Sequence, residues 1–354
     1  MRIIITGAAG FVGSGIIRYL REHYINAELI GIDNLSRRGS EYNISVLQQL
    51  GCKFVHGDIR CKEDIDDLPK ADWIIDCAAI PTVTAGVDGG THQLINNNLT
   101  GTIYLLEKCR RDNSGFIILS TSRVYSIEAL TGIPLTEKED HFGIKERVAL
   151  PHGFSEYGVS ETFSTAAPVS LYGATKLASE ILALEYHYTF GFPVWINRCG
   201  VIAGPGQFGK IDQGIFSFWV YQYLLDLPIS FIGFGGKGKQ VRDFLHPFDV
   251  FRLVQKQIEQ PTTKAPRTIN IGGGINCAWS LLQLDRFCKQ TLQIDKVINS
   301  VAETRGFDIP LYVTDNRQAL QHWNWQPSFT AEQIMGQIIE YGSQHLQMLK
   351  DMRK

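Results

Sequence analysis

A three-glycine turn close to the start constrains this chain more than any other feature. Gly7, Gly10 and Gly13 stand three residues apart, after the apolar run Arg2–Thr6 and before a stretch with Val12, Ile16, Ile17 and Leu20 on one helical face. A short apolar run closed by a turn reads as a strand buried on both faces, and the spacing that follows reads as an amphipathic helix. Glycines between the two permit a tight turn and let backbone N–H groups approach a pyrophosphate at the positive end of the helix. Asp33 stands twenty residues beyond Gly13, at the end of the next apolar run. A carboxylate there accepts hydrogen bonds from ribose hydroxyls and repels a 2′-phosphate, so the pattern reads as a dinucleotide site preferring NAD to NADP. Arg37 and Arg38 lie near enough in sequence to temper that preference.

Apolar runs at 29–33, 54–57, 73–77 and 116–120 continue the alternation, with helical patterns such as 103–111 between them. This predicts an α/β fold, a Rossmann doubly wound parallel sheet. Segments rich in Gly and Pro (204–209, 233–238, 272–274) punctuate the second half, which reads as a smaller, interleaved C-terminal substrate lobe. The expected division is a dinucleotide domain over 1–198, with 243–270 returning to it, and a substrate lobe over 199–242 and 271–354.

A net charge of −2 over 354 residues gives no reason to expect nucleic acid or an anionic membrane as partner. The most apolar long stretch, 216–236, is broken by Gln222, Asp226 and Pro228 and does not read as a spanning helix. The first apolar run is too short for a signal-peptide core, so a cytoplasmic protein is expected. Seven cysteines without CxxC spacing, and histidines without an HExxH or HxH cluster, predict reduced thiols and no metal.

Tyr172-Gly173-Ala174-Thr175-Lys176 forms a YxxxK pair, one turn apart if helical. A phenol with an ordinary pKa of about 10 is a poor base at neutral pH. A nearby ammonium and an oxidised nicotinamide are expected to lower it by about three units, on the order of 4 kcal/mol. After the third predicted strand, Asp58-Ile59 either borders the adenine or makes a turn.

The GxxGxxG spacing and the YxxxK pair resemble the extended short-chain dehydrogenase/reductase family over nearly the whole chain. The resemblance implies cofactor contacts from Gly7, Gly10, Phe11, Val12 and Gly13, then Asp33, Asn34 and Arg37, Asp58 and Ile59, and Ala78 and Ala79. It makes Asn98 the family's structural asparagine near the cofactor, and adds Tyr172 and Lys176 to the cofactor set. In Ser120-Thr121-Ser122-Arg123-Val124-Tyr125, Thr121 matches the catalytic hydroxyl, completing a triad with Tyr172 and Lys176. Thr121, Ser122 and Arg123 would then face the sugar, while Arg242 and Arg305 would contact a substrate diphosphate, which a guanidinium fork suits.

Family members that eliminate water carry an acidic pair directly after the catalytic hydroxyl, where this chain has Ser122 and Arg123. That favours an NAD-dependent epimerase of a nucleotide sugar, acting by oxidation and re-reduction. The alternatives are a net reductase or dehydrogenase, a dehydratase drawing an acid from Glu156 or Glu161, and a non-catalytic dinucleotide sensor. A narrower resemblance, to the CDP-paratose 2-epimerase subgroup, rests on Gln207-Phe208, Asp212-Gln213-Gly214, Trp219 and the run from Gly238 through Gln240 to Asp243. It implies Gln207, Asp212, Gln213 and Gln240 as substrate contacts and C2 of a CDP-sugar as the reacting centre. The family also implies a homodimer or homotetramer, packed through the stripe Leu177, Ile181 and Leu184. One lookalike competes: Gly233–Lys239 fits GxxxxGK, but Gln240 stands where a phosphate-binding loop needs Ser or Thr.

Overall fold

The computed structural model describes residues 1–87, 89–210 and 213–352. Seven parallel strands make the central sheet: β1 (Arg2–Thr6), β2 (Glu28–Asp33), β3 (Cys52–His56), β4 (Trp73–Asp76), β5 (Gly115–Thr121), β6 (Val194–Cys199) and β7 (Thr268–Ile271). Their order is β7-β6-β5-β4-β1-β2-β3, the doubly wound arrangement expected, with the winding direction reversing between β1 and β4. Ligands in such sheets bind outside the strand carboxyl ends at that reversal.

Adjacent residues of β1 feed different cores, which is why its sequence is apolar without alternation. Ile3 and Ile5 pack with Ile16, Ile17 and Leu20 of α1 (Phe11–His23), while Ile4 packs on the opposite face with Leu105 and Leu106 of α2 (Gly101–Asp112). Long helix α3 (Ser170–Phe190) covers that second face as well. Between 91 and 101 the chain makes a π-helical turn, Asn96–Thr100, that carries Asn97 and Asn98.

The smaller lobe is built on α4 (Ile215–Leu224) and a short sheet. Its central strand, Val241–Leu245, pairs in parallel with Val201–Ile202 and Leu311–Tyr312, and antiparallel with Ala278–Ser280. Then α5 (Pro247–Glu259) docks on α1 and leads toward β7 at the edge of the main sheet. Two further helices, α6 (Leu281–Leu292) and α7 (Ala331–Gln344), each start with a reciprocal capping box, Ser280/Gln283 and Thr330/Gln333. Phe216, Trp219 and Val220 of α4 fill the core against Leu284 and Ile334, which accounts for the apolar stretch in the sequence. Among the described residues no helix is long and apolar enough to cross a membrane. All seven cysteines are free.

A buried ion pair ties the site-bearing elements together. Glu180 of α3 and Arg198 of β6 are 2% and 8% exposed and meet at 2.7 Å. Ser120, beside Thr121 on β5, donates its hydroxyl to Glu180, and the Arg198 guanidinium also reaches the Tyr125 hydroxyl at 3.3 Å. Tyr125 in turn donates to Asn270 of β7 at 2.7 Å. Breaking such a pair strands a buried charge. We expect Glu180→Ala to lose about 3 kcal/mol of stability in urea unfolding; an unchanged midpoint would show that the pair does not hold these elements.

Candidate active site

A cleft of about 590 Å³ runs along the carboxyl ends of β1, β4 and β5 and continues over the smaller lobe. At one end lies the glycine turn. Gly7 has φ +60°, and a Cβ there would meet the Cys77 carbonyl at 2.9 Å; a Cβ on Gly13 would sit 2.2 Å from the Gly7 carbonyl. Only glycine fits both positions, and α1 therefore starts with its N–H groups against the cleft and no side chain capping them. Phe11, Val12, Ala78, Ala79 and Ile59 line this part.

Asp33 leaves β2 with its carboxylate accepting the Ala9 N–H at 3.0 Å and the Leu35 N–H at 2.8 Å. Each oxygen keeps a second lone pair. Asn34 and Asp58 bond to each other at 2.9 Å, and Arg60 forks onto Asp58 with Nε to Oδ1 at 2.9 Å. That fork, foremost, holds the Asp58 carboxyl down to about 2. Asn34 and Ile59 line the cleft; Asp58 does not. Asn98 also stands behind the wall: its Oδ1 accepts the Ile80 N–H at 2.8 Å and its Nδ2 donates to Thr175 at 3.3 Å. It clamps the segment after β4 to the turn of α3 between Tyr172 and Lys176. Its neighbour Asn97, passed over by the sequence reading, faces the cleft.

Thr121 ends β5, in register with Cys199 of β6. Tyr172 lies in the first turn of α3 and Lys176 one turn on, 7% and 1% exposed. The Thr121 oxygen accepts the Arg123 N–H at 3.1 Å, which sets the short turn that aims Ser122 and Arg123 into the cleft. Gly173 follows Tyr172 for a steric reason: a Cβ there would lie 2.2 Å from the Arg123 carbonyl oxygen. The expected fall in the phenol pKa belongs to the state with an oxidised nicotinamide beside it. In the protein alone, burial pushes Tyr172 up to about 12, while the Thr121 side chain and Arg123 pull the other way. Burial also pushes the Cys199 thiol up to about 12 and Cys77 well above its usual range, so neither thiol of the cleft is a base at neutral pH.

Toward the smaller lobe, Arg123 donates to the Phe307 carbonyl at 3.3 Å, and Arg242 to the Val241 and Ile309 carbonyls at 2.7 Å each. Burial, then the charge of Arg123, pulls Arg242 down to about 9. Arg305 forks onto Asp308 at 3.0 and 3.1 Å. Asp308 was not foreseen, although Arg and Asp three residues apart are a readable signal. Trp279 and Phe234 also line this end, brought there by chain contacts that no local pattern announces.

Gln240 donates to the Ile232 carbonyl at 3.0 Å, and its buried Oε1 has no partner among the described residues. Gln207 lines the cleft, but its amide bonds to the Ile202 carbonyl and the Ser217 hydroxyl. Arg37 and Gln213, expected on different ligands, bond to each other, and Arg37 also donates to the Phe208 carbonyl at 2.7 Å. Asp212 lies outside the described residues. Neither Glu156 nor Glu161 lines the cleft, where the only carboxylates among the described residues are Asp33 and Asp308. In the GxxxxGK lookalike, Lys237 and Lys239 both pair with Glu137 at 2.9 Å, and a strand follows rather than a helix.

The model of the NAD dependent epimerase/dehydratase family matches residues 3–272. The CDP-paratose 2-epimerase of Salmonella typhi is 30% identical over 352 residues, covering 97% of this chain and 99% of that protein. The dTDP-glucose 4,6-dehydratase of Salmonella typhimurium is 26% identical, covering 100% and 96%. Among solved structures, the UDP-glucuronic acid 4-epimerase of Bacillus cereus, in complex with UDP-glucuronic acid and NAD, superposes with a TM-score of 0.75. It shares 26% identity, with 97% of this chain and 99% of that one covered.

Two outcomes follow from this geometry. Asp33→Asn is expected to weaken NAD binding about tenfold and to narrow its preference over NADP; an unaltered ratio by calorimetry would move the ribose contact elsewhere. Asp243, adjacent to Arg242, is buried, and burial raises its carboxyl to about 6 although Oδ2 accepts N–H groups from Gly274 at 3.0 Å and Thr314 at 3.2 Å. As pH rises from about 4 to about 6, the unfolded chain releases a proton that the native one keeps, so native stability falls, by up to about 3 kcal/mol, and levels off above. Asp243→Asn should remove that slope from urea-unfolding free energies; parallel wild-type and variant profiles would place Asp243 at its ordinary value.

Proposed function

This chain belongs to the NAD dependent epimerase/dehydratase family, and from that premise we propose that it epimerises a nucleotide-diphosphate sugar, at C2 of a CDP-sugar, by transient oxidation to a keto-sugar. One observation carries the choice of epimerisation. Among the described residues, the cleft around Thr121 and Tyr172 presents hydroxyls, thiols, Lys176 nearby and Arg123, and the one carboxylate beside Arg123, Asp308, is already forked by Arg305. Elimination of water needs a general acid and a base for the C–H proton; reversible carbinol oxidation needs only one group that takes and returns the hydroxyl proton. The 30% identity to a CDP-paratose 2-epimerase along the whole length supports the sugar class and the carbon.

The glycine cradle and Asp33 fit a dinucleotide: a Cβ at Gly7 or Gly13 would strike backbone and force the turn open, whereas the glycines let it close with the first N–H groups of α1 against the cleft. Bound there, NAD would supply reversible hydride transfer at the carbinol carbon. The chain's own residues do the rest. Tyr172 accepts the hydroxyl proton, Thr121 holds the sugar oxygen through its hydroxyl, and Lys176 keeps positive charge under the phenol. Arg242 and Arg305 hold the diphosphate, so that the sugar turns its other face toward the returning hydride without leaving the cleft. Tyr172 then restores the proton. On α3, Ile181 is 55% and Leu171 43% exposed, and this apolar surface supports pairing with a second copy.

Freshly purified protein is expected to carry NAD and to convert one sugar, among CDP-, UDP-, GDP- and dTDP-sugars, without added cofactor. No solvent deuterium should enter the inverted carbon. Tyr172→Phe should lower turnover about a thousandfold with NAD content unchanged. Loss of water with deuterium uptake would make the chain a dehydratase, and turnover only with added NADH or NADPH a reductase.

A further inference from the structure

Arg123 stands where an eliminating relative would need a carboxylate, and it has been built in rather than left at the surface. Its N–H is held by Thr121, its carbonyl lies under Gly173, and its side chain lines the cleft together with Tyr172. Among the described residues its guanidinium makes one hydrogen bond, from Nη1 to the Phe307 carbonyl. The nearest carboxylate, Asp308, is already forked by Arg305 through both oxygens. Arg123 therefore keeps donors and an uncancelled charge for the centre of the cleft.

We propose that Arg123 is a positioning residue for the Tyr172 hydroxyl, supplying beside it a second fixed positive charge that the YxxxK pair alone does not provide. The groups acting on the phenol are few: Thr121 from β5, Cys199 from the end of β6 and Arg123 from the turn after β5, with Lys176 one turn further along its own helix. Cys199 stays a neutral thiol, so the fixed charges are Lys176 and Arg123. The other groups around Arg123 are Arg242, Arg305, Asp308 and Tyr312, and the one carboxylate among them is engaged. Arg123 opposes the burial that keeps Tyr172 protonated. A guanidinium suits the task because it stays charged even when desolvated. One residue thus does two things: it occupies a place where elimination would need a carboxylate, and it favours the ionised phenol that carbinol oxidation uses.

The inference rests on Tyr172 being the proton acceptor, but its test reads the phenol directly. Tyrosinate absorbance is titrated in NAD-loaded wild type, Arg123→Met and Arg123→Lys, each against the same protein carrying Tyr172→Phe, so that one phenol is followed. The midpoint should rise by about one pH unit in Arg123→Met and return most of the way in Arg123→Lys. The acidic limb of kcat/KM should move with it. Coincident midpoints in wild type and Arg123→Met would overturn the proposal, even if epimerase turnover is found. A shifted midpoint without epimerase turnover would uphold Arg123 and fault the proposed reaction instead. If Arg123→Met fails to hold NAD, Arg123→Gln keeps a donor for the Phe307 carbonyl without the charge and gives the same comparison.

Discussion

Taking a carboxylate and a guanidinium out of water is costly, and Glu180 and Arg198 are both nearly fully buried. The cost is offset because neither group is left with idle atoms: Ser120, Tyr125 and the pair itself occupy the donors and acceptors. The geometry matters more than the energy. Four separate elements, β5, α3, β6 and the turn carrying Tyr125, end in one network, and the residues proposed for chemistry stand one position or one to two turns away from it. Thr121 adjoins Ser120, and Lys176 precedes Glu180 by a turn. A helix and a strand joined in this way cannot slide past each other without unpairing a buried charge.

The first five strands of the central sheet were legible from sequence because their causes are local, whereas no strand was read at β6 or β7. Short apolar runs made strands, and at Gly13 the spacing needed only the close approach of the Gly7 carbonyl in the same turn. Tyr172 and Lys176 were legible for the same reason, being one turn apart on a single helix. What could not be read was set by distant partners. Nothing in the neighbourhood of Gln207 shows that its amide closes on Ile202 and Ser217, and nothing near Arg37 shows that it crosses to Phe208. The extent of Tyr172's burial was not legible for a related reason: the YxxxK spacing announces the cation, whereas burial is a property of the assembled lobes.

The substrate end concentrates like charge. Arg123, Arg242 and Arg305 share the cleft with one aspartate, and two of the three are bonded only to carbonyl oxygens. Arg242 is pulled down first by burial and then by the charge of Arg123. The cluster becomes favourable when a dianion arrives, so ligand binding and folding stability are coupled through these side chains.

The bond from Arg37 to the Phe208 carbonyl begins on the dinucleotide side and ends on the other lobe. Both residues line the cleft, so any parting of the two sides around a molecule held there must break that bond as well. Departure is then governed by a barrier rather than by contact strength alone. In a catalyst that reuses a single redox equivalent, slow escape is what turns a diffusible coenzyme into a fixed part of the machine.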